Sequence, residues 1–255
     1  MKRIIGIGWD VGGWLGKKHG IATAEYSGDK IKWVLKPSAT GLPESGFVPQ
    51  DFYPDFDNHD DTVIVTAGID AALAYPAAFR RLVSGQDAEI EKPGAEIDNL
   101  FAYRDTERHI YQMFQKKPLS ATFDKLGNNT SLAIMTARKW CREYNFCLQP
   151  ANKAGEHHTS HHLIEVYPSL IKSKGFAPIY SQLIKHIPPE VKVNSDAFDA
   201  ALCALLAVSY GLSGESTLLP ALVFPPDDWN NENGEGWIYY PQQKNTAQAN
   251  EITVC

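Results

Sequence analysis

The chain has 255 residues, 44% of them hydrophobic and 21% charged, and a formal net charge of −6. That composition can bury a sizeable core and excludes a chain that stays disordered, and one α/β domain with insertions accommodates the length. The acidic balance argues against a broad basic face for nucleic acid, because phosphate contacts ordinarily leave a basic footprint.

From the N-terminus, Arg3 to Trp9 alternates as a strand, with Ile5, Ile7 and Trp9 on one face and Ile4, Gly6, Gly8 and Asp10 on the other. Two glycines on one face predict that another backbone or a ligand comes close there. His19–Tyr26 and Lys30–Lys36, separated by Ser27-Gly28-Asp29, complete a three-stranded antiparallel meander. Residues 37–61, rich in Pro, Gly, Asp and aromatics without a period, are expected to be an inserted loop, a lid or a passive covering. Thr62 to Ile69 is apolar on both faces, as a central parallel strand requires, and runs into Asp70.

Helices are expected near Ala71–Leu82, Arg104–Phe114 and Ser131–Tyr144, then a short strand, His162–Tyr167, halted by Pro168. The last long helix is predicted from about Asp196 to Tyr210, with Asn194 or Ser195 as N-cap and Gly211 as its stop. The layout is an α/β domain over residues 1–218 carrying the 37–61 insertion, followed by a C-terminal extension, 219–255, that is partly loose.

The opening MKRIIGIGWD reaches Asp10 too early for a signal peptide, and the longest apolar stretch, Ala197–Leu212, contains Asp199 and falls short of the ~20 residues of a membrane span. Cys141, Cys147, Cys203 and Cys255 form no C-x-x-C pair. No membrane partner and a reduced, cytoplasmic setting are expected. Local basic groups stand at Lys17-Lys18-His19, Lys116-Lys117 and Arg138-Lys139 with Arg142, and ordinary solvated charge is the simplest account of them.

Asp196 and Asp199, three apart, share a face of a helix that is otherwise apolar all round. Acids in a first turn are favoured by the helix dipole alone. Joined with Asp10 and Asp70, which emerge at the carboxyl ends of two strands if those are adjacent and parallel, they form a set of hard oxygen donors suited to Mg²⁺ or Mn²⁺. Two such ions flank a phosphoryl group, one activating water and the other steadying the leaving oxygen.

IIGIGWDVGG, TAGIDAAL and SDAFDAALCALLA resemble, in order, the acidic first strand, the acidic fourth strand and the D-x-x-D-A helix of the RNase H superfamily, particularly its Holliday-junction-resolvase branch. Over residues 3–212 the chain is similar to an uncharacterised bacterial family of predicted RNase-H-like nucleases, which shares an Arg-rich helix start like YRDTER and an E-V-Y-P segment; EGWIYYP at 235–241 extends the match. The resemblance implies an RNase-H-like mixed sheet, three antiparallel strands plus parallel ones, flanked by helices with loop insertions. It implies catalytic and metal-ligating roles for Asp10, Asp70, Asp196 and Asp199, with Glu165 a fifth carboxylate near the metal, and a nucleic-acid substrate, DNA or RNA. The chain departs from that pattern in having Asp70 where glutamate is common and Gly8-Trp9 in place of a plain aliphatic run.

Arg104 and Arg108, four apart, are candidates to clamp a substrate phosphate or else to form salt bridges with Asp105, Glu107 or a neighbouring helix. The HHTSHH run, His157-His158 and His161-His162, lacks the spacing of a zinc site. Two other functions remain: an actin-like ATP-dependent phosphotransferase, suggested by D-V-G-G but missing a second phosphate loop, and a non-catalytic metal-binding or interaction module of the same fold.

Overall fold

The computed structural model describes residues 3–16, 18–86, 92–123, 126–151, 159–226, 229 and 234–243. Strands β1 (Arg3–Asp10), β2 (His19–Ser27) and β3 (Lys30–Thr40) form the antiparallel meander. β3 therefore runs four residues beyond Lys36 into the expected insertion. The rest of that insertion carries a short helix, α1 (Pro49–Phe52), whose Phe52 is buried against Trp9 and Trp140, so the segment is a wall of the core rather than a free lid.

β4 (Val63–Asp70) pairs parallel with β1, and β6 (His161–Val166) parallel with β4. Between them lie α2 (Ala77–Val83), α3 (Asp105–Phe114), α4 (Leu126–Glu143) and a two-residue strand β5 (Cys147–Leu148) beside β6. α2 begins six residues later than the pattern predicted, just after Pro76. A proline disfavours helical backbone in the residue before it but is accepted at a helix start. After β6 come α5 (Pro168–Ile171), α6 (Ala177–Ile184) and the long α7 (Asp196–Leu212). Ser195 caps α7, its Oγ accepting from the Phe198 amide at 3.2 Å. The helix stops at Ser213 in the left-handed region, and Gly211 lies inside it against Ile4.

Part of the 219–255 extension, expected to be partly loose, joins the sheet. β7 (Leu222–Val223) and β8 (Ile238–Pro241) extend the sheet, β8 parallel to β6, giving the order β3-β2-β1-β4-β6-β8-β7 with β5 off that path. Trp237, Ile238 and Tyr239 are buried there, because a short run of large apolar groups gains more from joining the sheet than it loses in chain freedom. The result is an eight-stranded mixed sheet flanked by seven helices among the described residues, the RNase-H-like layout. None of these helices is long and apolar enough to cross a membrane.

The two faces of the sheet carry different cores. Ile5, Ile7 and Trp9 pack with Phe47, Phe52 and Trp140 under α4. The glycine face of β1 receives α7, whose Leu202, Leu205 and Leu206 are fully buried at about 2 kcal/mol each. A Cβ on Gly8 would fall 2.0 Å from the Ala200 carbonyl oxygen, and one on Gly20 1.9 Å from that of Asp196. The close approach inferred from the sequence is thus made by the backbone of α7.

Candidate metal site at the carboxyl ends of β1 and β4

Asp10 and Asp70 are direct register partners at the ends of adjacent parallel strands, which lie ~4.8 Å apart. Each is two residues beyond a glycine that faces α7, so by strand alternation both carboxylates project toward the helix. Asp10 also pairs with Gly20, where an added Cβ would fall 1.9 Å from the Asp196 carbonyl oxygen. Asp196 and Asp199 occupy the first turn of α7. The four aspartates therefore meet at one end of the sheet.

Their electrostatics follow from that placement. Burial pushes the Asp10 carboxyl up from 3.8 to about 7, and Asp199 and Asp196 add to the rise while Lys172 opposes it. Asp70 is pushed well above the usual carboxylate range by burial, then by Asp10 and Asp199, against Lys172. Among the described residues no donor hydrogen-bonds to the Asp10 or Asp70 side chain. Lys172, just past α5, is the cation of the group: its Nζ donates to both carboxylate oxygens of Asp199 at 2.8 Å.

The loop after Asp10 is pinned by His19. Trp9 Nε1 and the Gly12 amide donate to its Nδ1 at 3.2 and 3.0 Å, and its Nε2 faces the Gly13 carbonyl at 3.1 Å. Asn129 on α4 donates to the Val11 carbonyl at 2.5 Å. Beside these lies a cavity of about 380 Å³ lined by Asp10, Asp70, Glu165, Lys116, Asn129 and Tyr167.

Glu165 lines that cavity but is engaged elsewhere. Its Oε2 accepts from the Leu73 amide at 3.0 Å and from Arg104 Nη1 at 2.8 Å, and its Oε1 from Arg104 Nη2 at 2.5 Å. Burial raises its pKa and Arg104 counteracts this. Arg104 is a correction to the phosphate-clamp expectation. It is fully buried, paired with Glu107 and Glu165, and donates to the Glu235 carbonyl at 3.0 Å. Burial opposes its charge, but the two glutamates outweigh that and hold it protonated. A guanidinium sealed among carboxylates offers no face to substrate. Arg108 donates to the Tyr103 carbonyl at 2.7 Å and pairs with Asp105, so the salt-bridge alternative describes it too.

Of the histidine run, His157 and His158 lie outside the described residues. His161 is buried against Phe56 and Phe146, while His162 lies beside Tyr210. The two point to opposite faces of β6, which is no zinc arrangement.

Among the described residues no three His, Cys, Asp or Glu side chains are gathered tightly enough to enclose an ion as they stand. Asp199 is instead engaged by Lys172, and Glu165 by Arg104. The donor set nonetheless fits Mg²⁺ or Mn²⁺: Asp10 and Asp70 are hard oxygen ligands, desolvated and without a hydrogen-bond donor, a state that favours a cation partner. Sequence reasoning missed Lys172, Asn129 and Glu235. Glu235 accepts from the amides of Ala77 (2.6 Å) and Asp105 (2.9 Å) and so binds the first residues of α2 and of α3, which contributes Glu107 to the cavity wall. The E-V-Y-P segment was the only nearby signal, since Lys172 follows its proline by four residues.

No family model, curated protein or solved structure matches this chain.

Proposed function

We propose that the protein is a divalent-metal-dependent nuclease of the RNase-H-like superfamily, hydrolysing phosphodiester bonds of DNA or RNA. The observation that supports this most is the register pairing of Asp10 with Asp70 beneath the first turn of α7, two donor-less carboxylates beside a cavity. Mg²⁺ or Mn²⁺, when bound, supplies water activation and neutralisation of charge on the phosphate. Asp10 and Asp70 would hold it, with Asp196 and Asp199 completing the donor set. Lys172 orients Asp199, and Lys116 on the cavity wall offers an ammonium to the substrate strand. The Arg104–Glu165 pair is a positioning element that fixes the segment after Asp70 through the Leu73 amide.

The reading places the protein in the cytoplasm, supported by the free thiols of Cys141, Cys147 and Cys203. Purified protein with Mn²⁺ is expected to cleave at least one of single-stranded, duplex or branched DNA or RNA, and Asp10→Asn to abolish the cleavage. Absence of cleavage on every substrate, or full activity in Asp10→Asn, would refute it.

A further inference from the structure

A second cavity, of about 330 Å³, lies beside the first. Its floor is apolar, with Leu73, Ile134 and Ala137, and its rim carries Arg80 from α2 and Arg138 and Arg142 from α4. Among the described residues no acidic side chain lines it, although the chain as a whole carries a net charge of −6. Arg138 and Arg142 stand four apart on one helix face, where like charges repel. Among the described residues neither has an ion pair or a side-chain hydrogen bond. Two exposed guanidinium groups that line a cavity with no counter-charge among the described residues suit an anion, and the planar fork of arginine suits a phosphate oxygen pair in particular.

The position of this cavity ties it to the candidate metal site. Ala71 and Ala72 line the first cavity and Leu73, Ala74 and Tyr75 the second, so one short segment walls both. Tyr75 is five residues from Asp70, hence at most about 18 Å away along the chain. That is roughly five phosphate spacings on one strand at 3.4 Å each. We infer that the arginine-rimmed cavity binds one nucleotide unit of the substrate strand, its phosphate on Arg138 and Arg142 and its base on the apolar floor. The assignment to a polynucleotide rests on the nuclease reading, whereas the affinity for a phosphate ester does not.

The test uses the full chain in EDTA, which blocks metal-dependent cleavage, and a fluorescein-labelled 12-nucleotide single strand read by anisotropy at several salt concentrations. Arg138→Gln/Arg142→Gln is expected to weaken binding roughly tenfold and to reduce the salt slope by about 0.7, the contribution of the one single-strand phosphate that the two arginines share. Arg142→Gln alone is expected to remove about half of that slope change and serves as the second variant. Lys30→Gln/Lys32→Gln on the edge strand β3, an equal charge change, is expected to leave affinity as it is. Competition by millimolar AMP that the double arginine variant loses assigns the cavity to a single nucleotide from any source; strand binding without such competition assigns it to the polynucleotide.

Unchanged affinity and salt slope in the double arginine variant overturn the inference, as does a wild type that binds neither strand nor AMP. Melts with and without Mn²⁺ separate the two readings. Arginine-dependent strand binding without any Mn²⁺-induced rise in Tm would sink the metal site and keep this cavity. A Mn²⁺ response with arginine-independent strand binding would do the reverse.

Discussion

Replacing Asp10 by Asn is expected to stabilise the metal-free protein at pH 8 while making it insensitive to Mn²⁺. The folded-state pKa of Asp10 is raised from 3.8 to about 7, so its contribution to stability is complete below pH 3.8 and is lost as pH rises through 7. At 1.36 kcal/mol per pKa unit the loss at pH 8 is about 4 kcal/mol as an upper bound, and outward relaxation of a side chain that still reaches solvent brings it to about 2. An uncharged isostere avoids that loss. With about 2–4 °C of Tm per kcal/mol for a chain of this size, Asp10→Asn should melt about 4–8 °C above wild type at pH 8 in EDTA. At pH 4 the difference should shrink to under about 1 kcal/mol, since wild-type Asp10 is protonated in the fold and half protonated outside it. Mn²⁺ at a hundred times its Kd should raise the wild type by about 2.7 kcal/mol and leave the variant where it was. Differential scanning fluorimetry over this pH range, with and without Mn²⁺, makes the measurement. A variant less stable than wild type at pH 8, or one with the wild-type response to Mn²⁺, would refute the claim that Asp10 is a strained carboxylate waiting for a cation.

Gly8→Ala should cost about 3 kcal/mol, a drop of about 6–12 °C in Tm, because its Cβ would meet the backbone of Ala200 and Ala204 within 2.5 Å and α7 would have to lift from the sheet. Arg104→Ala should cost about 3–5 kcal/mol by leaving Glu107 and Glu165 buried without their partner, seen as a lower urea midpoint at unchanged m-value. A loss confined to substrate affinity would instead revive Arg104 as a phosphate clamp. Lys172→Met should lower the neutral-pH stability of the metal-free protein by about 1 kcal/mol, since the pair with Asp199 is only partly buried, and should enlarge the Mn²⁺-induced rise in Tm by releasing Asp199. A smaller rise would show that Lys172 helps the cation to bind.

The framework of the fold was legible because it is local. The alternation of β1, the two-sided apolar run of β4 and the all-round apolar α7 each follow from burial on one or both faces, and the glycines of β1 announced the close approach that α7 makes. What escaped depends on distant partners. The sequence of β8 is four residues long and becomes a strand by pairing with β6, more than seventy positions away, and with the two-residue β7. Arg104 satisfies the requirements of a phosphate clamp and of a buried ion pair equally well, and only the arrival of Glu165 from β6 and the Glu235 carbonyl from the chain's end decides between them. The meeting of Asp10 with Asp70 was inferable from two strand ends, whereas the competition of Lys172 for Asp199 was not, because nothing in the spacing of either residue refers to the other.

The same contacts that stabilise the sheet also set the spacing of the acids. Gly20 admits the Asp196 carbonyl against β2, Gly8 admits Ala200 against β1, and the strand register then fixes Asp10 beside Asp70. Backbone packing, which costs several kcal/mol to disturb, thus holds four carboxylates near one another against their own repulsion, and only side-chain torsions remain to be adjusted. A carboxylate rotamer change costs on the order of 1 kcal/mol, far less than a backbone shift. If this end of the sheet takes a cation as proposed, Asp199 would have to turn from Lys172 to join the ligands.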